Sequence, residues 1–172
     1  MKRQKKKYSK PRKPFDKVRM DEEEILVRKY GLKNKREIWK AESAISRIRS
    51  KAKKLIVAAE EKKKAFVENL HQKGFKVENI ADVLALNKED WLKRRLQTIV
   101  FAKGFAHTPN QARQFIVHKH ILIGDQTVNI PSYQVEVSEE SLLKLNIVLK
   151  TPESQKSKME EIKEEILEEN DQ

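Results

Sequence analysis

The sequence predicts an α+β protein, in which a basic arm and a helical unit precede two further helices and a small, mostly antiparallel sheet. Two observations support this class. Apolar residues recur at steps of three and four between Ile38 and Leu86, the period of helices with one buried face. After Ile121 the period changes to alternation around a Gly124-Asp125 turn, which indicates a hairpin. With 172 residues and 38% hydrophobic content, we expect modest cores.

The charge of the chain is strongly positive and unevenly distributed. Lys and Arg number 38 against 26 Asp and Glu, a formal net charge of +12. From Pro152 onward eight acidic residues and three lysines give −5, which leaves +17 on residues 1–151. Such a field attracts polyanions before any specific contact forms, so nucleic acid is the expected partner class.

Several other classes are disfavoured. No stretch approaches the roughly 20 apolar residues of a membrane span, so no membrane is expected as a partner. No apolar segment follows the basic N-terminus, so no secretory signal is expected. The absence of cysteine removes disulfides and sulfur-based zinc sites and fits an intracellular location.

Residues 1–20 are predicted to form an extended basic arm. They hold ten Lys or Arg and one Asp, and two prolines interrupt any helix. A solvated disordered tail and an arm that becomes ordered on RNA both fit this composition. The aromatic rings of Tyr8 and Phe15 favour the second alternative, because such rings stack on unpaired bases.

Residues 21–90 are predicted to form a helical unit. Asp21 with Glu24 has the spacing of a capping box, and Asn34 with Glu37 repeats it before a long amphipathic helix rich in Lys and Arg. Two shorter helices are predicted, one ending before Gly74 and one between residues 79 and 86.

Residues 91–150 are predicted to form a second unit. Residues 91–103 have a helical pattern that Gly104 ends, and Thr108-Pro109 begins another helix. Short strands are predicted at the hairpin of residues 121–130 and at alternating apolar residues between 133 and 149. Residues 151–172 are an acidic tail, predicted to be helical or disordered. Docking of a marginal amphipathic helix on a basic neighbouring protein is the functional alternative.

No catalytic or metal site is predicted, and no cofactor is expected. Among the four histidines only His118 and His120 could share a strand face, and no carboxylate occurs between Asp90 and Asp125 to complete a metal site. Four scattered glycines cannot build a phosphate-cradling loop. We therefore do not expect an enzyme.

Residues 92–135 resemble the S-four RNA-binding fold. The resemblance is carried by Arg94-Arg95-Leu96, Gly104, Ala112-Arg113, His120-Ile121 and the run from Val128 to Ser132. Residues 10–42, notably YGLKNKRE at 30–37, resemble the N-terminal region of archaeal and eukaryotic small-subunit ribosomal S-four proteins. Together these segments cover about half of the chain.

This resemblance implies a structural constituent of the small ribosomal subunit, located on cytoplasmic ribosomes, that binds small-subunit rRNA through both units. It also implies binding early in assembly, a position near the messenger RNA entry side, contact with ribosomal protein S-five and an influence on decoding accuracy. Two features depart from relatives: the cysteine zinc site of many bacterial members is absent, and the C-terminal tail is acidic where eukaryotic members have a basic one.

Alternative functions remain open at this stage. A ribosome-assembly factor of the same architecture is one, an S-four unit appended to an RNA-modifying enzyme or synthetase is another, and an interaction protein for acidic membranes or proteins is a third. Residues outside 92–150 leave little chain for a catalytic domain, which disfavours the second.

We expect recognition of RNA shape through Lys, Arg and polar side chains. Arg94, Gln97 and Thr98 are predicted to share one exposed face of the helix at 91–103, and Arg113 is predicted to face RNA from the next helix. The predicted RNA-binding residues are Arg12, Lys13, Arg19, Lys33, Lys35, Arg36, Arg47, Arg49, Lys53, Arg94, Arg95, Gln97, Thr98, Lys103, Asn110, Arg113, Gln114, His118, Lys119, His120 and Asn129.

Overall fold

The structure, a computed structural model, describes residues 6–146. Its first five helices form the N-terminal part, and three helices and three strands follow. In chain order the elements are α1 (Lys17–Tyr30), α2 (Lys35–Leu55), α3 (Glu60–Gln72), α4 (Ile80–Ala85), α5 (Lys88–Lys93), α6 (Leu96–Ala102), α7 (Pro109–Val117), β1 (Ile121–Ile123), β2 (Gln126–Thr127), α8 (Val137–Glu140) and β3 (Leu143–Leu145). The predicted α+β class is confirmed.

The long helix α2 joins the two hydrophobic cores of the helical unit, because its apolar stripe packs on both. Near its N-terminus, Ile38 and Ala41 are buried with residues of α1 and with Leu92 of α5. Farther along, Ile45 and Ala52 are buried with residues of α3, α4 and the turn between them. Trp91 packs against both clusters, so α5 belongs to the helical unit.

The second unit, which we call the S-four unit, packs α6 and α7 against a three-stranded antiparallel sheet of order β2-β1-β3. Its core holds Leu96, Val100, Ala112, Ile116 and Ile121, all essentially inaccessible to solvent. Thr108 caps α7 by accepting a hydrogen bond from the Gln111 N–H, and Pro109 occupies the first turn. This helix start is confirmed as predicted.

The prediction of one helix over residues 91–103 is wrong in one respect, since the helix is interrupted between α5 and α6. Arg95 has an extended backbone and forms a bridge with Gln134. The Leu96 N–H donates to the Tyr133 carbonyl at 2.8 Å, and the Val135 N–H donates to the Arg94 carbonyl at 3.2 Å. Pairing with a segment forty residues away therefore outweighs the local helical pattern. The junction between the two units therefore lies at Arg94 and Arg95, whereas the sequence placed it at residue 91.

Other boundaries differ from those predicted. Helix α1 begins at Lys17, inside the predicted arm, because the chain is free to turn helical once it has passed the prolines. The hairpin keeps its Gly124-Asp125 turn, but β2 ends at Thr127. Beyond it, the carbonyls of Pro131 and Tyr133 accept hydrogen bonds from the N–H groups of Gln97 and Leu96 at the start of α6. Residues 137–140 are helical rather than strand-like. The acidic tail, the strand positions after 146 and the first five arm residues lie outside the described residues.

Candidate nucleic-acid interface

Five exposed cations line one side of α2, and we call them the α2 stripe. They are separated by steps of four, seven, four and three residues, so at 100° per residue they fall within a sector of roughly 60°. Glu42, the one acidic residue between 38 and 55, lies on a different side of the helix. The stripe consists of Arg36, Lys40, Arg47, Lys51 and Lys54.

The described part of the basic arm lies along α2 beside this stripe. The Tyr8 ring lies 6.2 Å from the Trp39 ring, and the Ser9 N–H donates to Ser43 Oγ at 3.2 Å. Arg47 donates to the Lys7 carbonyl at 3.3 Å. The arm therefore adds its own cations to the same basic surface, with Arg12 and Lys13 exposed.

Three predicted contacts of the helical unit are engaged within the protein. The Arg19 guanidinium donates to the buried Glu23 carboxylate at 2.7 Å and to the carbonyls of residues 13 and 14. Lys35 lies 3.7 Å from the same carboxylate. Arg49 donates to the Leu86 carbonyl. These side chains stabilise the helical unit, and their contact with RNA stays a prediction.

The two units are joined by a carboxylate held between two guanidinium groups. Glu37 Oε2 accepts from Arg95 Nη2 at 2.5 Å, and Glu37 Oε1 accepts from Arg113 Nη2 at 3.1 Å. Burial alone would raise the pKa of Glu37, but the hydrogen bonds from Arg113 and Arg95 outweigh it and hold that pKa below its usual range. The group is therefore an ionised interdomain clamp.

Gln97 forms a second link between the units. Its side chain is 1% exposed, and its Nε2 lies within hydrogen-bonding distance of the Tyr30, Gly31 and Pro109 carbonyls at 2.9–3.1 Å. Gly31 has a φ of +58°, and a Cβ there would meet Pro109 Cβ and Asn110 Oδ1 at 2.8 Å. The close approach of α1 to α7 therefore requires glycine at this turn.

Arg94 forms a third link. Its guanidinium pairs with Glu140 at 2.5 Å and donates to the Val135 carbonyl at 2.8 Å. It also covers Gly74, where an added Cβ would lie 2.2 Å from Arg94 Cζ. The prediction that Arg94, Gln97 and Thr98 share an exposed helix face is wrong, because the helix breaks after α5 and Thr98 Oγ1 donates back to the Leu92 carbonyl.

The structure thus separates the predicted residues by accessibility. Arg95 is only 4% exposed and Gln97 is buried, so neither side chain lies on the open surface. Arg113 retains a quarter of its side-chain exposure while it binds Glu37, and His120 is half-buried with its ring against Phe115. Exposed positions among the predicted residues are Arg12, Lys13, Lys33, Arg36, Arg47, Lys53, Lys103, Asn110, Gln114, His118, Lys119 and Asn129.

Lys40, Lys51 and Lys54 share their side of α2 with Arg36 and Arg47. The sequence had placed these three lysines among the cations of the long helix that favour RNA contact, although the individually predicted RNA-binding residues did not include them. Within residues 6–146 no group of three or more His, Cys, Asp or Glu side chains is placed to hold a metal ion. No helix in that described range is long and apolar enough to cross a bilayer.

Comparison with known proteins gives two concordant results. The protein-family profile described as "S4 domain" matches residues 94–141. "Small ribosomal subunit protein uS4" of Methanospirillum hungatei is 44% identical over 146 residues, which cover 78% of this chain and 81% of the relative. The chain belongs to the uS4 family. The protein of that name from Picrophilus torridus is 43% identical over 83% of both chains, and the one from Sulfurisphaera tokodaii is 41% identical over 83% of this chain and 84% of its own.

Family membership fits the architecture described above. The S4 domain match begins at Arg94, where the structure breaks the helix and starts the S-four unit. The identity to archaeal uS4 proteins extends over most of the chain, so the helical unit and its α2 stripe belong to the uS4 protein as much as the S4 domain does.

Proposed function

We propose that this uS4 protein is a structural constituent of the small ribosomal subunit that binds small-subunit rRNA directly. The observation that carries the proposal is the identity of 41–44% to archaeal small-subunit uS4 proteins over about four fifths of their length. The α2 stripe supports it, because a row of unshielded cations on a rigid helix suits closely spaced phosphates.

The rigid junction between the units explains how such a protein recognises folded RNA. Three side-chain links and the close approach at Gly31 fix the S-four unit against α2. Two basic surfaces held at a constant angle select RNA by shape, with little reading of base sequence. The role is structural, not catalytic.

The finer parts of the proposal concern place and timing. We propose that the protein joins the particle early in assembly on cytoplasmic ribosomes. It would lie near the messenger RNA entry side beside ribosomal protein S-five and influence decoding accuracy. These points follow from the resemblance of residues 10–42 and 92–135 to the S-four family, and the exposed basic arm suits a protein that joins incompletely folded RNA.

Direct binding to small-subunit rRNA tests the proposal. The double variant Arg36→Glu, Lys54→Glu should lose most of its affinity, because both residues are exposed on the α2 stripe. The matched control Lys62→Glu, Lys64→Glu makes the same charge change on α3 and should lose much less. Equal losses in the two variants would show that net charge, rather than the stripe, governs binding.

Sucrose-gradient fractionation tests the ribosomal role. The protein should sediment with mature small subunits and remain there after a high-salt wash. Sedimentation with precursor particles alone would instead identify an assembly factor of the same architecture. Pulse-labelled assembly intermediates should already contain the protein if it binds early.

A further inference from the structure

A cavity of about 200 Å³ lies at the junction of the two units. It is below the range of about 300–1,000 Å³ typical of drug-sized ligands, and it is several times the roughly 30 Å³ that a water molecule occupies. It therefore fits a small group such as a tetrahedral anion. Its lining includes the side chains of Glu37, Lys40, Arg95, Arg113 and Ser132.

The lining of the cavity favours an anion. Lys40, Arg95 and Arg113 contribute three positive charges and Glu37 one negative charge. Both Glu37 oxygens are already occupied by the two guanidinium groups, so this carboxylate orients the arginines. The remaining charge of +2, with the Ser132 hydroxyl beside it, suits an anion that brings several acceptor oxygens.

Arg95 supplies a second, independent observation. It is 4% exposed, and its Nε has no hydrogen-bond partner among the described residues. A buried guanidinium N–H without an acceptor is costly, because it loses its water without replacing it. An anion oxygen in the cavity is the kind of acceptor that would satisfy this donor.

The surroundings of the cavity identify the source of the anion. Lys40 is exposed and belongs to the α2 stripe, whereas Arg95 lies at the buried side. The cavity is thus reached from the surface along which the proposed RNA lies. We propose that it is an anion site that receives one backbone phosphate of the bound RNA, held by Lys40, Arg95 and Arg113; this inference rests on the proposed RNA-binding function.

Anion binding is tested first without RNA, by melting the full chain in inorganic phosphate and in chloride of equal ionic strength. At a phosphate concentration ten times the Kd the folded state is favoured about elevenfold, which is about 1.4 kcal/mol and raises Tm by about 3–5 °C. Lys40→Gln and Ser132→Asp should reduce this rise, the second by placing a carboxylate beside the anion. Lys54→Gln, on the same helix but outside the cavity, should retain it.

General salting effects of phosphate act on all four proteins alike. Only the difference between the cavity variants and the Lys54→Gln control therefore counts. Both cavity variants alter exposed side chains without a structural bond in the described part of the chain, so they should fold like the wild type. An equal phosphate-induced rise in all four proteins would overturn the anion site.

The RNA source is tested with an rRNA fragment in which single phosphates are replaced by neutral methylphosphonates. At one position the replacement should weaken wild-type binding about tenfold, as expected for a charge-assisted contact worth about 1.4 kcal/mol. In Lys40→Gln and Ser132→Asp the same replacement should cost about threefold or less. In Lys54→Gln it should still cost about tenfold.

The outcomes separate this inference from the proposed function. If the wild type binds rRNA but no single phosphate distinguishes the cavity variants from Lys54→Gln, the RNA assignment is wrong. A phosphate-dependent Tm rise that remains in that case would identify a site for free phosphate. If the wild type does not bind rRNA, the proposed function itself fails.

Discussion

Gly31→Ala is the sharpest test of how tightly the two units are docked. The residue has a φ of +58°, a conformation that costs an L side chain about 1–2 kcal/mol. The new Cβ would also lie 2.8 Å from Pro109 Cβ and 3.0 Å from Gln97 Nε2. Asn110 can rotate away from it, but the Pro109 ring is fixed in the first turn of α7, so one unit has to move.

The cost of this movement can be estimated from the contacts. Overpacking a close-fitting site costs about 1–3 kcal/mol, and weakened Gln97 hydrogen bonds add about 1 kcal/mol. We therefore expect Gly31→Ala to lose about 3–6 kcal/mol of unfolding free energy in all, of which about 2–4 kcal/mol comes from the interface. Urea unfolding measures this loss.

Gly104→Ala is the matched control. Gly104 has a φ of +75°, and nothing lies within 4 Å of a Cβ built there. It should therefore lose only the 1–2 kcal/mol of conformational strain. If the two variants lose the same free energy within about 0.5 kcal/mol, the junction is not close-packed at Gly31 and the rigid two-unit surface is refuted.

Further predictions concern charge, the arm and pH. The logarithm of the rRNA association constant should fall with the logarithm of salt concentration at a slope steeper than about −2, since several phosphates are neutralised; a shallower slope contradicts phosphate dominance. Deleting residues 1–10 should weaken rRNA binding and shift Tm by less than about 3 °C, because the contacts that Lys7, Tyr8 and Ser9 make with α2 are few and exposed. A large fall in Tm with unchanged rRNA affinity would show that the arm is structural. The lowered pKa of Glu37 stabilises the fold above the unfolded value of about 4.3, and this stability is lost as pH falls through the folded pKa. Glu37→Gln should therefore have a lower free energy of unfolding at pH 7, and below pH 4 that free energy should change less with pH than in the wild type. Unfolding measured over an acid titration tests this, and the same pH dependence in both proteins would contradict the clamp. Arg113→Glu should reduce the free energy of unfolding as well as the rRNA affinity, because it replaces the bond to Glu37 with repulsion. A loss of affinity alone would show that this bond is unimportant for stability.

The sequence predicted best what local chemistry determines. The helix start at Thr108-Pro109 follows from a side-chain cap and a proline at its favoured position, and the Gly124-Asp125 turn sets the register of β1 with β2. Apolar residues at helical spacing predicted α2 correctly, because the buried face of this helix continues over two cores.

The sequence did not reveal contacts between residues that lie far apart in the chain. Arg95 was predicted as an RNA contact from its charge and from the resemblance, and that contact stays a prediction. Nothing in the sequence indicated that Arg95 is buried and bonded to Glu37, 58 positions earlier. The same applies to Gln97, whose acceptors belong to a turn more than sixty positions away. The break between α5 and α6 likewise depends on backbone pairing with residues 133–135, which no local period reveals.

The Glu37 clamp also constrains how the chain folds during synthesis. Its partners follow 58 and 76 positions later, so the helical unit is complete, with its carboxylate still solvated, before either arginine has been translated. Contacts of such separation form late, because the intervening chain must be ordered first. A fragment that ends before Arg95 should therefore hold a folded helical unit with Glu37 open to solvent, and the two-unit surface appears only when α7 is present.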